Sequence, residues 1–187
     1  QPVDISARLL EAGGSTNIEN AVKEAVEQKD SIGGIVECTA TNVPVGLGEP
    51  FFDSVESIIS HIIFSIPAIK GIEFGTGFAA ARMKGSEHND PIISGDGKTA
   101  TNHSGGINAG ITNGNDIVFR VVVKPASSIP QKQQTINLNT GKMVDLVVEG
   151  RHDTCIALRV PVVVEAVTAI TLADFLLLEH RVTREVL

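Results

Sequence analysis

The stretch Gly150-Arg151-His152-Asp153-Thr154-Cys155, and the apolar run from Val160 to Leu178 that follows it, set the architecture of this chain. A guanidinium, an imidazole, a carboxylate and a thiol stand side by side, and Pro161 opens the apolar run. Proline suits the first turn of a helix, where its missing N–H is not needed. Glu165 falls in or near that turn, where the positive end of the helix dipole favours a carboxylate. The pattern predicts a long buried helix with a polar cluster at its mouth. The run is long enough to raise a membrane span, but it contains Glu165 and Asp174. A carboxylate at bilayer depth is costly, so the expectation is a core helix and no membrane.

A chain of 187 residues fits one domain, taken as 1–187. It is 42% hydrophobic but has no Trp and no Tyr, so Val, Ile, Leu and Ala must build the core. The net charge of −7 argues against a general nucleic-acid binder, whose footprint is basic. An anionic small substrate stays open, because a few local arginines can dominate one cleft. Cys38 and Cys155 belong to no Cys-x-x-Cys pair, so zinc is not expected and two buried, reduced thiols are. No His and carboxylate spacing makes a metal site, and Glu49, His61, His88 and Glu165 read as cap, surface or packing residues. No basic n-region opens the chain, so no secretory leader is expected and the location is taken as cytoplasmic. The start at Gln1 suggests a processed or excised chain.

Element by element, residues 5–12 are placed as a helical turn ending at Gly13-Gly14. Ser15 or Thr16 with Glu19 forms a capping-box pattern before an amphipathic helix over 17–29. Residues 35–41 alternate and are β-branched, a strand; 53–65 read as a second helix, stopped by Pro67. Residues 69–74 read as a strand that 78–83 continues after a Gly75/Gly77 kink. A polar loop covers 84–106, strands cover 117–123 and 143–148, polar connection covers 130–141, and the last helix covers 161–180. No strict βαβ rhythm appears. The fold class is therefore α+β, with helices packed against a largely antiparallel β-sheet.

Gly75-Thr76-Gly77-Phe78-Ala79-Ala80 matches a dinucleotide fingerprint, but Gly85 cuts the required helix short and no ribose-binding acid follows. A glycine-kinked strand or hairpin is the default there. The run from Thr101 through Asn102-His103-Ser104-Gly105-Gly106 to Gly110 is either a tight structural turn or an anion or cofactor cradle. Lys124-Pro125-Ala126-Ser127-Ser128 follows a buried strand. Its lysine either snorkels from the strand end or, with the two hydroxyls, holds phosphate or a flavin ring edge. Arg151 and Asp153 either form a strand-end ion pair, worth under about 1 kcal/mol when exposed, or carry chemistry.

Taken in order, five segments make the chain resemble the chorismate synthase family. They are Gly46-Leu47-Gly48-Glu49-Pro50, Lys70-Gly71-Ile72-Glu73-Phe74-Gly75-Thr76-Gly77-Phe78, Asn102-His103-Ser104-Gly105-Gly106, Lys124-Pro125-Ala126-Ser127-Ser128, and Gly150 to Cys155 continuing to Glu165-Ala166. The resemblance covers the C-terminal half or slightly more of such an enzyme. The family's Gly-Glu-Ser-His-Gly and Ser-Ala-Arg segments are absent here, which implies a C-terminal fragment, catalytically incomplete alone.

The family's activity is a lyase reaction of the shikimate pathway, the route to aromatic amino acids. It converts 5-enolpyruvylshikimate 3-phosphate to chorismate and phosphate by 1,4-anti elimination with reduced FMN (FMNH2). NADPH-dependent flavin reduction is left open. The resemblance further implies a homotetramer and a β-α-α-β sandwich, with a helical layer between two antiparallel sheets. By position it assigns flavin contacts to Pro67, Ala68, Ala109, Lys124, Pro125, Ala126, Ser127, Ser128 and Arg151. It assigns proton handling to Asp153 and a substrate contact to Asn102, with all of these expected to converge on one cleft. Ala109, Ala126 and Thr154 depart from the family's frequent Gly, Thr and Pro. The alternative is a flavin- or phosphate-binding module, or a structural oligomerisation domain, without lyase activity.

Overall fold

The computed structural model describes residues 2–179. One antiparallel sheet of four strands carries the architecture, in the order β1-β2-β6-β3: β1 is Asp4–Ala12, β2 Gly34–Thr41, β3 Ile69–Phe74 and β6 Ile117–Val123. Two small antiparallel hairpins stand apart from it, β4 (Ile107–Asn108) with β5 (Ile111–Thr112), and β7 (Gln133–Asn137) with β8 (Lys142–Leu146). The helices are α1 (Ile18–Glu27), α2 (Val55–Ile63), the short α3 (Gly85–His88) and α4 (Val160–Leu178). The α+β, antiparallel expectation holds.

The sheet has one covered face. Along β2, Val36, Cys38 and Ala40 are buried, and along β6 Ile117, Phe119, Val121 and Val123 are buried, as the period-2 pleat requires. Helix α4 packs on β1 and β2, and α2 packs against α4. Val160, Val164, Thr168, Thr171, Leu172 and Phe175 recur at three and four residues along α4 and form its buried stripe. Pro161 sits in the first turn, as its chemistry favours. The rest of α4 is apolar yet open: Val162 is 66% exposed and Ile170 61%. It is the one helix among the described residues long and apolar enough to cross a membrane by length and composition, and here it lies on the sheet.

Several boundaries depart from the sequence expectation. The segment read as a helical turn is strand β1: Asp4, Ser6 and Arg8 face out while Ile5, Ala7 and Leu9 lean on the core, a two-residue period. Its pairing with β2 overrides a weak local preference for helix. The N-cap of α1 is Asn17, whose side-chain oxygen accepts from the Asn20 amide, rather than Ser15 or Thr16. Residues expected to extend β3 form instead a 3-10 turn, Gly77–Arg82. Gly75 explains the break: its φ is +54°, and a Cβ there would overlap the His103 carbonyl. The connection over 130–141 contains strand β7, which pairs Gln133 with Leu146 and Asn137 with Lys142. The last helix ends at Leu178, and His180 lies outside the described residues.

The long polar loop is pinned rather than loose. Asp90 accepts from the His103 amide at 2.8 Å, the Ser104 amide at 2.9 Å and the Thr101 hydroxyl at 2.7 Å. Burial alone would raise this carboxyl, but the Ser104 and His103 amides and the Thr101 hydroxyl outweigh it and hold it at about 2.

Two outcomes follow. Phe119→Ala empties the centre of the sheet face and should cost about 3–5 kcal/mol in a denaturant titration. Because Asp90 has a folded pKa below its ordinary value, its contribution is present above pH ~4 and lost as pH falls toward 2. Asp90→Asn should therefore be less stable than the parent at pH 5, with the gap closing by pH 2; a gap that persists contradicts the clamp.

Candidate functional site

Strand β6 carries the candidate residues to opposite ends of the sheet. Seven residues of extended chain place its ends about 20 Å apart. Asn102 and Ala109 lie at the Ile117 end, and Pro67, Ala68 and the run from Lys124 to Ser128 lie at the Val123 end. The single cleft expected from sequence is thus divided within one chain. Antiparallel pairing dictates this, because the loop before β6 and the loop after it leave opposite edges of the same sheet.

At the Val123 end the parts are stitched by backbone. The Lys124 amide donates to the Ala68 carbonyl at 2.9 Å, so Pro67-Ala68 and Lys124 are neighbours. Ala68 has φ +73°, which turns the chain out of α2 into β3. The Ser31 hydroxyl donates to the Ala126 carbonyl at 2.6 Å, and the Ile32 amide donates to the Thr154 carbonyl at 2.8 Å. The loop over 30–32 therefore joins the lysine run to the polar cluster before α4. Ser127, Ser128 and Arg151 are exposed, whereas Lys124, Ala126 and Asp153 are half-buried.

Two hollows open there. One, of about 400 Å³, is lined by Gly13, Gly14, Lys70, Val122, Lys124 and Pro125, among others. The other, of about 180 Å³, is lined by Lys29, Ile129, Pro130, Gly150, His152 and Asp153, among others. Two ammonium groups, Lys70 and Lys124, over glycine backbone suit a flat ligand bearing phosphate. That donor set fits FMN in chemistry.

Asp153 is not paired with Arg151. Its Oδ1 accepts from Arg159 at 2.8 Å, and the segment around it is coil rather than extended strand. Arg159 closes the turn before α4 six residues on, which sequence adjacency gave no reason to choose. His152 Nε2 meets the Val148 carbonyl at 2.9 Å. Lys70, an exposed residue at the irregularity between Ile69 and Gly71 where β3 shifts register against β6, was not singled out from sequence but lines the first hollow.

At the Ile117 end the polar groups serve the loop. Asn102 donates through Nδ2 to the Asp116 carbonyl at 2.8 Å and accepts at Oδ1 from the Gly106 amide at 2.7 Å. Both ends of its amide are thus engaged in bracing the turn. Thr76 and His103 meet at 2.8 Å. Ala109, with φ +51°, is exposed in the β4–β5 turn, beside the Gly110 carbonyl that accepts from the Val55 amide. Buried Thr112 donates to the Pro44 carbonyl and accepts from the Leu47 amide, and so ties the Gly46-Leu47-Gly48 segment to β5.

Both thiols are free and buried. Burial pushes Cys38 up to about 11, offset in part by its contact with the Thr168 hydroxyl, and burial raises Cys155 as well. Neither is a nucleophile near neutral pH. Glu165 accepts the Ala7 amide at 2.7 Å and so caps the edge strand, a packing role. No group of three or more His, Cys, Asp or Glu suited to a metal lies among the described residues.

The family model for chorismate synthase matches residues 4–177. A chorismate synthase of Chitinophaga pinensis is 62% identical over 182 residues, which is 97% of this chain and 55% of that protein. One of Korarchaeum cryptofilum is 51% identical over 163 residues, 86% of this chain and 45% of that protein. A solved crystal structure of chorismate synthase superposes with a TM-score of 0.76 at 27% identity, covering 95% of this chain and 58% of that one. The chain thus spans about half the length of the curated relatives it matches. With the match running through β1 and into the last turns of α4, the chain belongs to the chorismate synthase family.

Proposed function

We propose that this chain supplies the flavin-side half of a chorismate synthase. The reaction is the conversion of 5-enolpyruvylshikimate 3-phosphate to chorismate and phosphate. The observation that carries the reading is the junction at the Val123 end, where Ala68, Lys124, Ala126 and Thr154 are held together by backbone and side-chain hydrogen bonds. The residues matched to the family's flavin contacts at Pro67, Ala68, Lys124, Pro125, Ala126, Ser127, Ser128 and Arg151 fall at or beside it, while Ala109 stands apart at the other end.

The elimination breaks one C–H bond and one C–O bond of the substrate ring, and leaves a new C=C bond, a proton and inorganic phosphate. Reduced FMN, when bound, lends electron density transiently without net redox change. Lys124 and Lys70 place positive charge where phosphate oxygens would sit, and Ser127 and Ser128 offer hydroxyl donors. Arg151, exposed in the segment before α4, offers a guanidinium for the same anions. Asp153 has Oδ1 held by Arg159, which leaves Oδ2 to accept a proton. Asn102 serves here as the brace of its loop. The family's remaining length would cover the open apolar side of α4 in a β-α-α-β sandwich, within a cytoplasmic homotetramer.

Phosphate release from 5-enolpyruvylshikimate 3-phosphate with anaerobically reduced FMN tests the reading, with this chain completed to the family's length. Lys124→Ala should weaken reduced-FMN binding about 10–100-fold, the worth of a charge-assisted hydrogen bond. Asp153→Asn should leave flavin binding near the parent value and lower the rate about 100-fold or more. If both variants fold and neither quantity changes, the site is elsewhere.

A further inference from the structure

Asn113-Gly114 is the one Asn-Gly pair in the chain, and it turns the backbone from β5 into β6. Gly114 has φ +89°, and a Cβ there would stand 2.7 Å from Val45 Cγ2, so the turn requires glycine. Among the described residues no hydrogen bond engages the Gly114 amide. The Asn113 side chain, by contrast, is held at both ends. Its Oδ1 accepts from the Asn115 amide at 2.9 Å and from Asn115 Nδ2 at 3.0 Å, and its Nδ2 donates to Asn108 Oδ1 at 2.6 Å. Asn115 is itself fixed, because its Oδ1 accepts from the Thr99 amide at 3.1 Å. A hollow of about 610 Å³ opens beside them, lined by Gly97, Thr99, Ser104, Asn108, Asn113 and Asn115 among others. It is polar and large enough for several waters.

An asparagine followed by glycine can cyclise, because the absent Cβ leaves the next amide nitrogen unobstructed. Three features favour that step here. The bond from the Asn115 amide to Asn113 Oδ1 closes an Asx turn, which folds Cγ back over the peptide to Gly114. The two Asn115 donors sit where negative charge develops on Oδ1 when Cγ is attacked, the arrangement of an oxyanion hole. The attacking nitrogen has no competing acceptor, and the hollow brings water to the product.

We propose that Asn113-Gly114 is a self-modifying site, where the folded chain deamidates its own asparagine. The Gly114 nitrogen attacks Asn113 Cγ and forms an N–Cγ bond. The Cγ–Nδ2 bond breaks, and Nδ2 leaves as ammonia with the proton from Gly114. Water then opens the five-membered imide at either carbonyl and leaves aspartate or isoaspartate at position 113. No oxidant or cofactor takes part. The product has an acceptor oxygen where Nδ2 was a donor, so Asn108 either loses this partner or turns its amide away from Ser104. Asn108 pairs with Ile111 across the β4–β5 hairpin. The hairpin therefore loosens at its turn, and the loop entering β6 changes with the age of the molecule. None of this rests on the lyase reading.

Incubation of the purified chain at mildly alkaline pH, without flavin or substrate, tests it. Anion exchange follows the product, because the step adds one negative charge to a chain of net charge −7. Tandem mass spectrometry of the tryptic peptide 99–120 locates the replacement of –NH2 by –OH. The folded chain should convert at Asn113 faster than the same chain in urea, because folding supplies the two donors. Asn115→Ala keeps the backbone donor and removes the side-chain one, and should slow conversion about fivefold, the worth of one hydrogen bond. Asn113→Gln, which would need a six-membered ring, should stay unmodified. A parent that converts more slowly folded than unfolded, or not at all, would overturn the proposal. So would conversion at Asn102, Asn108 or Asn115 in place of Asn113, or a folded Asn115→Ala chain that converts as fast as the parent.

Discussion

Strand β6 is hydrogen-bonded along both edges, to β2 on one side and β3 on the other, and the rest of the molecule depends on that double pairing. A strand paired on both sides cannot slip by one residue without turning Phe119 and Val121 out of the core. Its register therefore fixes where the loops at either end begin. The loop that enters β6 carries Asn102 and Ala109, and the segment that leaves it carries Lys124. No local rearrangement brings the two together within one chain.

Much of the frame was legible because it is built from short, strongly patterned strands. The alternation in β2 and β6, the helical spacing of α2 and Pro161 at the start of α4 all carried local signals that agree with the final packing. Strand β1 was illegible for the opposite reason. Its pattern is blurred by Leu9-Leu10-Glu11, where the pairing shifts register, so only the neighbouring strand reveals it. Strand β8 was legible as 143–148, but its partner β7 (Gln133–Asn137) is mostly polar and nowhere buried, so it offered no burial pattern to detect.

The candidate site shows the same division. The lysine run and the cluster before α4 were readable as chemistry. Their junction was not, because it depends on Ser31 and Ile32, which reach across about a hundred residues of sequence to Ala126 and Thr154. Asn102 was readable as polar and conspicuous, but its amide is satisfied by Asp116 and Gly106 within its own loop. Glycine-rich turns need such braces, and composition cannot separate a brace from a ligand. One of the two readings paired Asp153 with Arg151, whereas the turn at Ile156–Arg159 delivers a different arginine to it.

Hydrogen exchange with and without reduced FMN measures the central claim, that the flavin seat lies at the Val123 end of the sheet. Protection on adding the flavin should appear at residues 67–68, 124–128 and 151–154. Protection confined to residues 102–110, with those three segments unchanged, would contradict it.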